Sequence, residues 1–394
     1  MPHDRRQVLE QVANGYINRK EFAGIEWLVQ AGGKTLSEGR AGVADPEDGT
    51  PLPDVPIYRI YSMTKPIVSV MALILIEQGR LRLFDFLPQF NPAFARMRVL
   101  HPSGRIEPAE RPITVEDLLT HRAGFTYEFI TGCHVAPLYS QAEIAGDGHR
   151  SLEDMMELLA QQPLAFQPGS AFRYSVATDV LAHVIERATG EKLGDLLKTH
   201  IFDPLGMTET GFTVPASERH RVLPIFGIED IRDLSPLNPP MKQELHRINV
   251  DSMYPMDDPT LSRGGHGLFS TIADYGKFAT MLINGKTPNG DRILSRSMHS
   301  MMLKNRIPHS QLPLTIGVST LPGYGWGLGF RLMLDTGQAL SLSNVGEFGW
   351  AGAATTYFWV DPAEEMIGLF MTQYLGSILP LAENLRTAAY QMLD

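Results

Sequence analysis

One segment constrains the fold more than any other part of the chain, a long apolar run that follows a short polar stretch. The run extends from Pro66 to Ile76 and contains a single polar side chain, Ser69. Because a helix that is apolar all round belongs in the centre of a protein, the run predicts a central, buried helix. Proline is tolerated in the first turn of a helix, so Pro66 places the start of this helix near Ser62.

The four residues before the run, Ser62-Met63-Thr64-Lys65, carry a hydroxyl and an amine three positions apart. Residues at this spacing lie on the same side of a helix, which brings Lys65 towards the Ser62 hydroxyl. Burial disfavours a charged lysine, and the free N–H groups of the first helical turn favour an anion near Ser62. A neutral or proton-sharing Lys65 would take the Ser62 proton, so the pair predicts a serine nucleophile activated without histidine. A capping serine beside a lysine that extends to solvent explains the same residues, and the motif alone leaves both interpretations open.

Composition and charge exclude several classes of protein. Of the 394 residues, 43% are hydrophobic and 20% are charged, which is the balance of a globular protein with a large core. The net charge of −10, without a basic cluster, argues against nucleic acid or an anionic membrane surface as a partner. The lone cysteine, Cys133, allows no disulfide within the chain and no cysteine-based metal site, and we assign it no role.

The sequence gives an expectation for location as well. No apolar signal segment opens it, and the run that ends at Ile76 is far shorter than the ~18 residues of a membrane span. We therefore expect a cytoplasmic protein without a membrane partner. The sequence predicts no particular oligomeric state.

The order of predicted helices and strands indicates an α/β (α+β) fold. An amphipathic helix and a hairpin about Gly32-Gly33 open the chain, mainly helical segments follow, and a helix over residues 381–393 closes it. We predict one antiparallel sheet built from both termini, in a domain of residues 1–85 plus 260–394. A mainly helical domain of residues 86–259 is inserted, with the active site at the interface of the two. Four runs after about residue 320 are predicted to be β-rich: GWGLGFRLML, ALSLSNVG, ATTYFWV and MIGLFMTQ.

Six stretches of the sequence together resemble a known family. The motif G-x-S-x-G of α/β-hydrolases, H-E-x-x-H and the P-loop are all absent. Ser62-Met63-Thr64-Lys65 before a buried helix is similar to the first motif of serine β-lactamases and penicillin-binding proteins. The order of the stretches resembles the class C branch, and within it the family VIII carboxylesterases look most similar. The other five stretches are LLTHRAGF (118–125), FQPGSAFRYS (166–175), SRGGHGLFSTIADYGKF (262–278), GYGWGLGF (323–330) and FGWAGAATTYFWVDP (348–362).

The resemblance implies a catalytic set of Ser62, Lys65 and Tyr174. Tyr174 matches the tyrosine of the family's second motif. A tyrosinate near Lys65 would take the Ser62 proton and later protonate the leaving alkoxide. A cation or a dipole must favour that phenolate, because a free tyrosine is neutral at ordinary pH.

The resemblance also implies an oxyanion hole and residues that contact the substrate. Ala353 follows the glycine of the third motif, so its backbone N–H and that of Ser62 are implied to hold the oxyanion. Trp350 and Gly352 of the third motif and Val176 of the second are implied to contact the substrate. Glycine at position 352 lets the strand approach the substrate closely.

Val176 and Trp350 depart from the β-lactamase pattern, which usually has asparagine and lysine at these positions. A site that lacks this amide and this cation loses the charge-assisted contacts that orient a carboxylated β-lactam. An apolar wall suits a neutral ester better. We therefore predict a carboxylesterase that hydrolyses short-chain esters through a serine acyl-enzyme, with slow β-lactam hydrolysis as a side activity. Its partner is a small-molecule ester, and neither a metal nor an organic cofactor is expected.

Two alternatives stay open at this level. The first is an enzyme of the same scaffold that acts on amides, as a β-lactamase, a D-amino-acid peptidase or an amidase. The second is a binding module without catalysis, against which the intact Ser62, Lys65 and Tyr174 argue. We expect the loops 126–150 and 225–259 to shape the pocket, and we assign His266 no catalytic role.

Overall fold

A computed structural model of the protein describes residues 5–145, 148, 150–229, 243–258, 262–317 and 319–393. Within these ranges the α-helices are α1 (Arg5–Asn18), α2 (Thr64–Glu77), α3 (Val115–Leu119), α4 (Ala136–Gln141), α5 (Leu152–Ala160), α6 (Ala177–Thr189), α7 (Leu193–Leu197), α8 (Asp203–Leu205), α9 (Ile272–Asn284), α10 (Arg296–Met302) and α11 (Leu381–Tyr390). The strands are β1 (Gly24–Ala31), β2 (Lys34–Gly42), β3 (Tyr58–Arg59), β4 (Arg98–Leu100), β5 (Ile106–Pro108), β6 (Ile225–Gly227), β7 (Arg247–Ile248), β8 (Phe269–Ser270), β9 (Leu314–Ile316), β10 (Ser319–Leu321), β11 (Tyr324–Trp326), β12 (Arg331–Met333), β13 (Phe348–Gly352), β14 (Thr356–Asp361), β15 (Met366–Met371) and β16 (Tyr374–Leu375).

Seven of the strands form one antiparallel sheet in the order β11-β12-β13-β14-β15-β1-β2. Two come from the start of the chain and five from its end, which confirms the predicted sheet built from both termini. β1 and β2 form the predicted hairpin, whose turn residues Gly32 and Gly33 have φ values of 55° and 73°. Glycine adopts this left-handed conformation without steric cost. The division into residues 1–85 plus 260–394 and 86–259 stays a prediction.

Side chains of the sheet alternate between two apolar clusters, one on each face. Trp27 and Val29 of β1 pack in the cluster that contains residues of α1 and α11, such as Leu9 and Leu385. Leu28, between them, packs in the cluster on the opposite face, which contains α2, α6 and α9. This period of two gives the molecule its layers, with helices on both faces of the sheet.

The helix α2 lies in the interior, as its sequence predicts. Residues 64–75 are all buried, and α2 packs against α6, α7 and α10. Each fully buried aliphatic side chain contributes roughly 1.5–3 kcal/mol to folding. The first turn of α2 is consequently held in a fixed position from which a side chain can be presented to a cavity. No helix in the described ranges combines the length and apolar character needed to cross a membrane.

One predicted strand is wrong. Residues 339–346, the run ALSLSNVG, are irregular and connect β12 to β13 after a 3-10 turn over Thr336–Gln338. The apolar side chains of Leu340, Leu342 and Val345 are 74%, 48% and 65% exposed. An apolar alternation indicates a strand only where one face of that strand becomes buried, and here no neighbouring element covers it.

Candidate active site

Ser62 lies in a 3-10 turn (Tyr61–Met63) that leads directly into α2. Tyr61 has a φ of 44°, a left-handed conformation that costs a non-glycine residue roughly 1–3 kcal/mol. The turn is tied to the helix α9, because the Tyr275 hydroxyl donates a hydrogen bond to the Met63 carbonyl at 2.9 Å. The strained turn therefore presents Ser62 at a defined place at the entrance of α2.

The structure brings Lys65 to Ser62. The Lys65 side chain is 1% exposed, and its Nζ donates to Ser62 Oγ at 3.2 Å and to the Gly265 carbonyl at 2.6 Å. Nζ also lies 4.7 Å from the centre of the Tyr174 ring and 5.2 Å from that of Tyr127. The carbonyl acceptor and the two ring faces hold the amine in place beside Ser62.

Tyr174 is the third member of the predicted catalytic set. It is 5% exposed, and its hydroxyl oxygen accepts a hydrogen bond from the Trp350 indole Nε1–H at 3.1 Å. The two rings are tilted by 47° with centres 5.2 Å apart. Ser62, Tyr174 and Trp350 line the same cavity, and Lys65 contacts both Ser62 and the Tyr174 ring. The alcohol and the amine are hydrogen-bonded, and the Tyr174 ring lies beside the amine at the same cavity.

The cavity has a volume of about 580 Å³, which is the size of a pocket for a small organic molecule. Aromatic rings form much of its wall. Three carboxylate side chains also line it, those of Glu128, Glu143 and Glu229, and among the described residues of the wall there is no lysine or arginine. The described part of the wall therefore presents carboxylates, and no lysine or arginine, to an anionic substrate.

Both loops that were expected to shape the pocket contribute to its wall. Residues 146, 147 and 149 of the first loop and 230–242 and 259 of the second lie outside the described residues. The first loop provides Tyr127, Glu128, Phe129, Ser140, Glu143 and Ala145, and the second provides Glu229, Met253 and Tyr254.

Ala353 and Gly352 lie at the end of β13, next to the turn that carries Ser62. Both line the cavity, and Ala353 is exposed. A Cβ atom at position 352 would collide with the Ile60 carbonyl and the Thr356 hydroxyl. Only glycine thus lets this strand approach the backbone just before Ser62. The pairing of the Ser62 and Ala353 amides as an oxyanion hole stays a prediction.

The structure does not bring Val176 to the cavity. Val176 is fully buried at the N-terminus of α6, its N–H donates to the Thr126 carbonyl at 3.3 Å, and it is absent from the described wall. Its side chain belongs to the apolar core. Of the three residues expected to contact substrate, Trp350 and Gly352 reach the cavity and Val176 does not.

Asp179 is a residue of the site that sequence reasoning missed. It is 1% exposed, its Oδ1 accepts a hydrogen bond from the Gly265 N–H at 2.9 Å, and its Oδ2 has no hydrogen-bond partner among the described residues. Burial raises the pKa of the Asp179 carboxyl, and the positive charges of Lys65 and Arg263 oppose this shift. The backbone of Gly265 therefore joins the two groups, since the N–H of this residue binds Asp179 and its carbonyl binds Lys65.

Two histidines lie close to the site. His266 lines the cavity, and enclosure of its ring, helped by the charges of Arg263 and Lys65, lowers its pKa well below the ordinary value. His121 is 2% exposed, and burial followed by the charge of Lys65 lowers its pKa in the same way. Both rings are consequently neutral at ordinary pH. In the described part of the chain, no three His, Cys, Asp or Glu side chains are grouped to hold a metal ion.

Known proteins share this architecture. Esterase EstB from Burkholderia gladioli is 28% identical over 403 residues, which cover 97% of this chain and 94% of EstB. The solved structure of "EstCE1, a hydrolase with promiscuous acyltransferase activity" superposes with a TM-score of 0.81 at 24% identity, over 98% of both chains. A solved family VIII carboxylesterase superposes with a TM-score of 0.73 at 19% identity, over 99% of this chain and 98% of its own.

At these identities the two solved structures show a common fold, which confirms the predicted fold class. The model of the family described as Beta-lactamase matches residues 9–391, nearly the whole chain and all of the site. The resemblance inferred from the six sequence stretches is thereby confirmed. This protein belongs to the Beta-lactamase family.

Proposed function

We propose that the protein is a carboxylesterase that works through an acyl-enzyme on Ser62. One observation carries the proposal: the Lys65 amine lies 3.2 Å from the Ser62 hydroxyl, at the wall of a cavity shared by Tyr174 and Ala353. The name of EstB, an esterase, and that of EstCE1, a hydrolase, support the same chemistry.

Acylation begins with the transfer of the Ser62 proton to the Tyr174 phenolate. Ser62 Oγ then attacks the ester carbonyl carbon, and the carbonyl oxygen becomes an oxyanion. The backbone N–H groups of Ser62 and Ala353 hold this oxyanion, and each such donor is worth about 3 kcal/mol of transition-state stabilisation. As the intermediate collapses, Tyr174 gives its proton to the leaving alkoxide, and an alcohol departs.

Deacylation repeats these steps with water as the nucleophile. The regenerated Tyr174 phenolate takes a proton from water, and the hydroxide attacks the acyl carbonyl carbon. Tyr174 then returns the proton to Ser62 Oγ, and a carboxylic acid leaves. No redox or metal-bound group enters the balance of this sequence.

Lys65 acts in this scheme as a fixed positive charge. Its hydrogen bond to the Gly265 carbonyl and its position over the faces of Tyr127 and Tyr174 hold the amine beside Ser62 and Tyr174. Its N–H to Ser62 Oγ orients the hydroxyl. We therefore prefer Tyr174 over Lys65 as the base, although both were candidates from the sequence.

The wall of the cavity supports an ester over a β-lactam as substrate. Trp350 occupies the position at which the family's lysine would meet a substrate carboxylate, and the described wall offers glutamates instead of a cation. An anionic β-lactam would lose its charge-assisted contact and meet like charge. Short acyl chains stay our expectation for the ester.

The decisive test is turnover of p-nitrophenyl butyrate by the wild type and by Ser62→Ala. We expect hydrolysis by the wild type, a butyryl adduct on Ser62 in the mass spectrum of a stopped reaction, and loss of both in the variant. Activity that survives Ser62→Ala would contradict the mechanism. Faster turnover of nitrocefin than of the ester would support an amide-hydrolysing enzyme, and no labelling by a fluorophosphonate would support a binding module.

A further inference from the structure

The Tyr174 oxygen has a hydrogen-bond donor on the side of the sheet. The indole Nε1–H of Trp350 points at it from 3.1 Å, and an indole nitrogen can only donate. Resting on the proposed esterase function, we propose that Trp350 is a positioning residue: its indole N–H orients the Tyr174 phenol and stabilises the phenolate that takes the proton from Ser62.

The direction of this hydrogen bond matters for the chemistry. The Tyr174 oxygen must accept the hydrogen bond from Trp350, and it uses one lone pair to do so. The hydroxyl proton and the other lone pairs of this oxygen therefore point away from Trp350. A hydrogen bond to an oxyanion is about twice as strong as one to a neutral hydroxyl. The indole N–H therefore favours the charged, basic form of Tyr174 over the neutral form.

The indole is held firmly in the position that this role needs. Trp350 is 6% exposed and lies in β13, paired with Phe358 of β14. Its ring meets the Trp326 ring edge-on, with centres 4.5 Å apart and an angle of 83°. A donor held by packing stabilises an ion without first having to be ordered.

The other groups around Tyr174 leave two influences on its charge near neutral pH. The rings of His121 and Tyr127 lie 4.8 Å and 5.5 Å from that of Tyr174. Burial keeps both neutral, since it lowers the pKa of His121 and raises that of Tyr127. Asp179 accepts a hydrogen bond from the Gly265 N–H, and the charge of its carboxylate is opposite to that of Lys65. Among the described residues, the Lys65 amine lies over the Tyr174 ring and the Trp350 N–H donates to the Tyr174 oxygen.

Trp350 thus supplies one of the two features that a lysine would bring to this position. The family's lysine at this position carries both an N–H donor and a positive charge, whereas an indole carries the donor without the charge. The phenol keeps a partner, and the cavity gains no cation. This division fits an enzyme whose substrate is uncharged.

Trp350→Phe removes the donor and keeps an aromatic ring. We expect kcat/KM for p-nitrophenyl butyrate to fall about ten- to a hundredfold at neutral pH, because hydrogen bonds to charged groups are of that strength. Loss of the donor makes the phenolate harder to form, so the acidic limb of the pH profile moves to higher pH. At alkaline pH, where an ordinary phenol is ionised without a donor, the variant should recover towards the wild-type rate.

Trp326→Phe is the matched control. Its indole N–H donates to the Leu119 carbonyl at 3.1 Å, within the same aromatic cluster but away from the Tyr174 oxygen. The Trp326→Phe variant loses the same atoms from a similarly buried ring. We expect the acidic limb of its pH profile to stay where it is in the wild type. An equal shift in both variants would show that packing, and not the Trp350 donor, controls the limb.

The proposal is overturned if Trp350→Phe lowers kcat/KM by one factor at every pH. Should that variant fail to fold, benzothienylalanine at position 350 replaces the N–H by sulfur and keeps the shape of the ring, and the same shift is expected. Failure of the esterase function would appear separately, as wild-type protein without Ser62-dependent turnover.

Discussion

Glu26 makes a measurable link between folding and pH. This glutamate lies half-buried on β1, and its Oε2 accepts a hydrogen bond from the Tyr58 hydroxyl at 3.0 Å. Burial raises the pKa of Glu26 from 4.5 to about 7, although the Tyr58 hydrogen bond and the charge of Arg40 oppose the change. This pKa shift corresponds to about 3 kcal/mol, at about 1.4 kcal/mol for each pKa unit.

The sign follows from which state holds the proton. Between pH 4.5 and about 7 the folded protein keeps Glu26 protonated while the unfolded chain has released it. The free energy of unfolding of the wild type therefore loses up to about 3 kcal/mol from this group as the pH rises through that range. Glu26→Gln keeps an acceptor for Tyr58 and removes the titration. Relative to the wild type, the variant should gain about 3 kcal/mol in stability between pH 4.5 and pH 8.5.

Urea unfolding of both proteins at several pH values measures this difference. Glu38→Gln on the adjacent strand β2 is the control. Glu26 and Glu38 both line a groove between the sheet and α9, but Glu38 is exposed. A stability difference between Glu26→Gln and the wild type that stays constant from pH 4.5 to pH 8.5 would refute the reasoning. An equal trend in Glu38→Gln would do so as well.

Two further predictions concern the site. Asp179→Asn keeps an acceptor for the Gly265 N–H but removes the charge beside Lys65, so we expect at least about a tenfold lower kcat/KM in a folded protein, and an unchanged value would contradict the role of Asp179. Gly352→Ala adds a methyl group against Ile60 and Thr356 and should displace the Ala353 amide. We expect it to lower kcat about ten- to a hundredfold and stability by about 1–3 kcal/mol, as measured by kinetics and urea unfolding. Gly337→Ala, in a surface turn, serves as its control, and full activity of Gly352→Ala would refute the proposed strand position.

The architecture was predictable where a sequence pattern is local, or where the residues of an apolar pattern become buried in the fold. The apolar run after Pro66 defined the central helix, and two glycines defined the β1–β2 hairpin. The run over residues 339–346 has the same alternation as a strand, yet the side chains of its two leucines and its valine are exposed. Burial depends on neighbours that no short segment specifies, so this strand could not be distinguished from a loop.

The site was predictable to the extent that its members are close in sequence or match a family motif. Ser62 and Lys65 meet because they are three residues apart, and Tyr174 was identified from its motif. Asp179 escaped attention because an acidic residue in the first turn of a helix is explained by the helix dipole. Its contact with Gly265 spans 86 residues. A buried acid on the apolar face of α6 was the available signal.

Val176 is the reverse case, a residue singled out by its motif position that the structure places away from the described wall of the cavity. Its motif position suggested contact with the substrate, but the position of a residue along a motif does not fix the direction of its side chain. Here the backbone of Val176 binds the Thr126 carbonyl, and the side chain enters the core.

The central sheet has a consequence for biosynthesis. β1 pairs on one side with β2 and on the other with β15, more than 300 residues later. A ribosome thus releases the first hairpin long before its second partner exists, and the edge of β1 stays open during most of translation. We expect the nascent chain to acquire protease resistance only after residue 371 has left the exit tunnel, and to depend until then on chaperones that cover that edge.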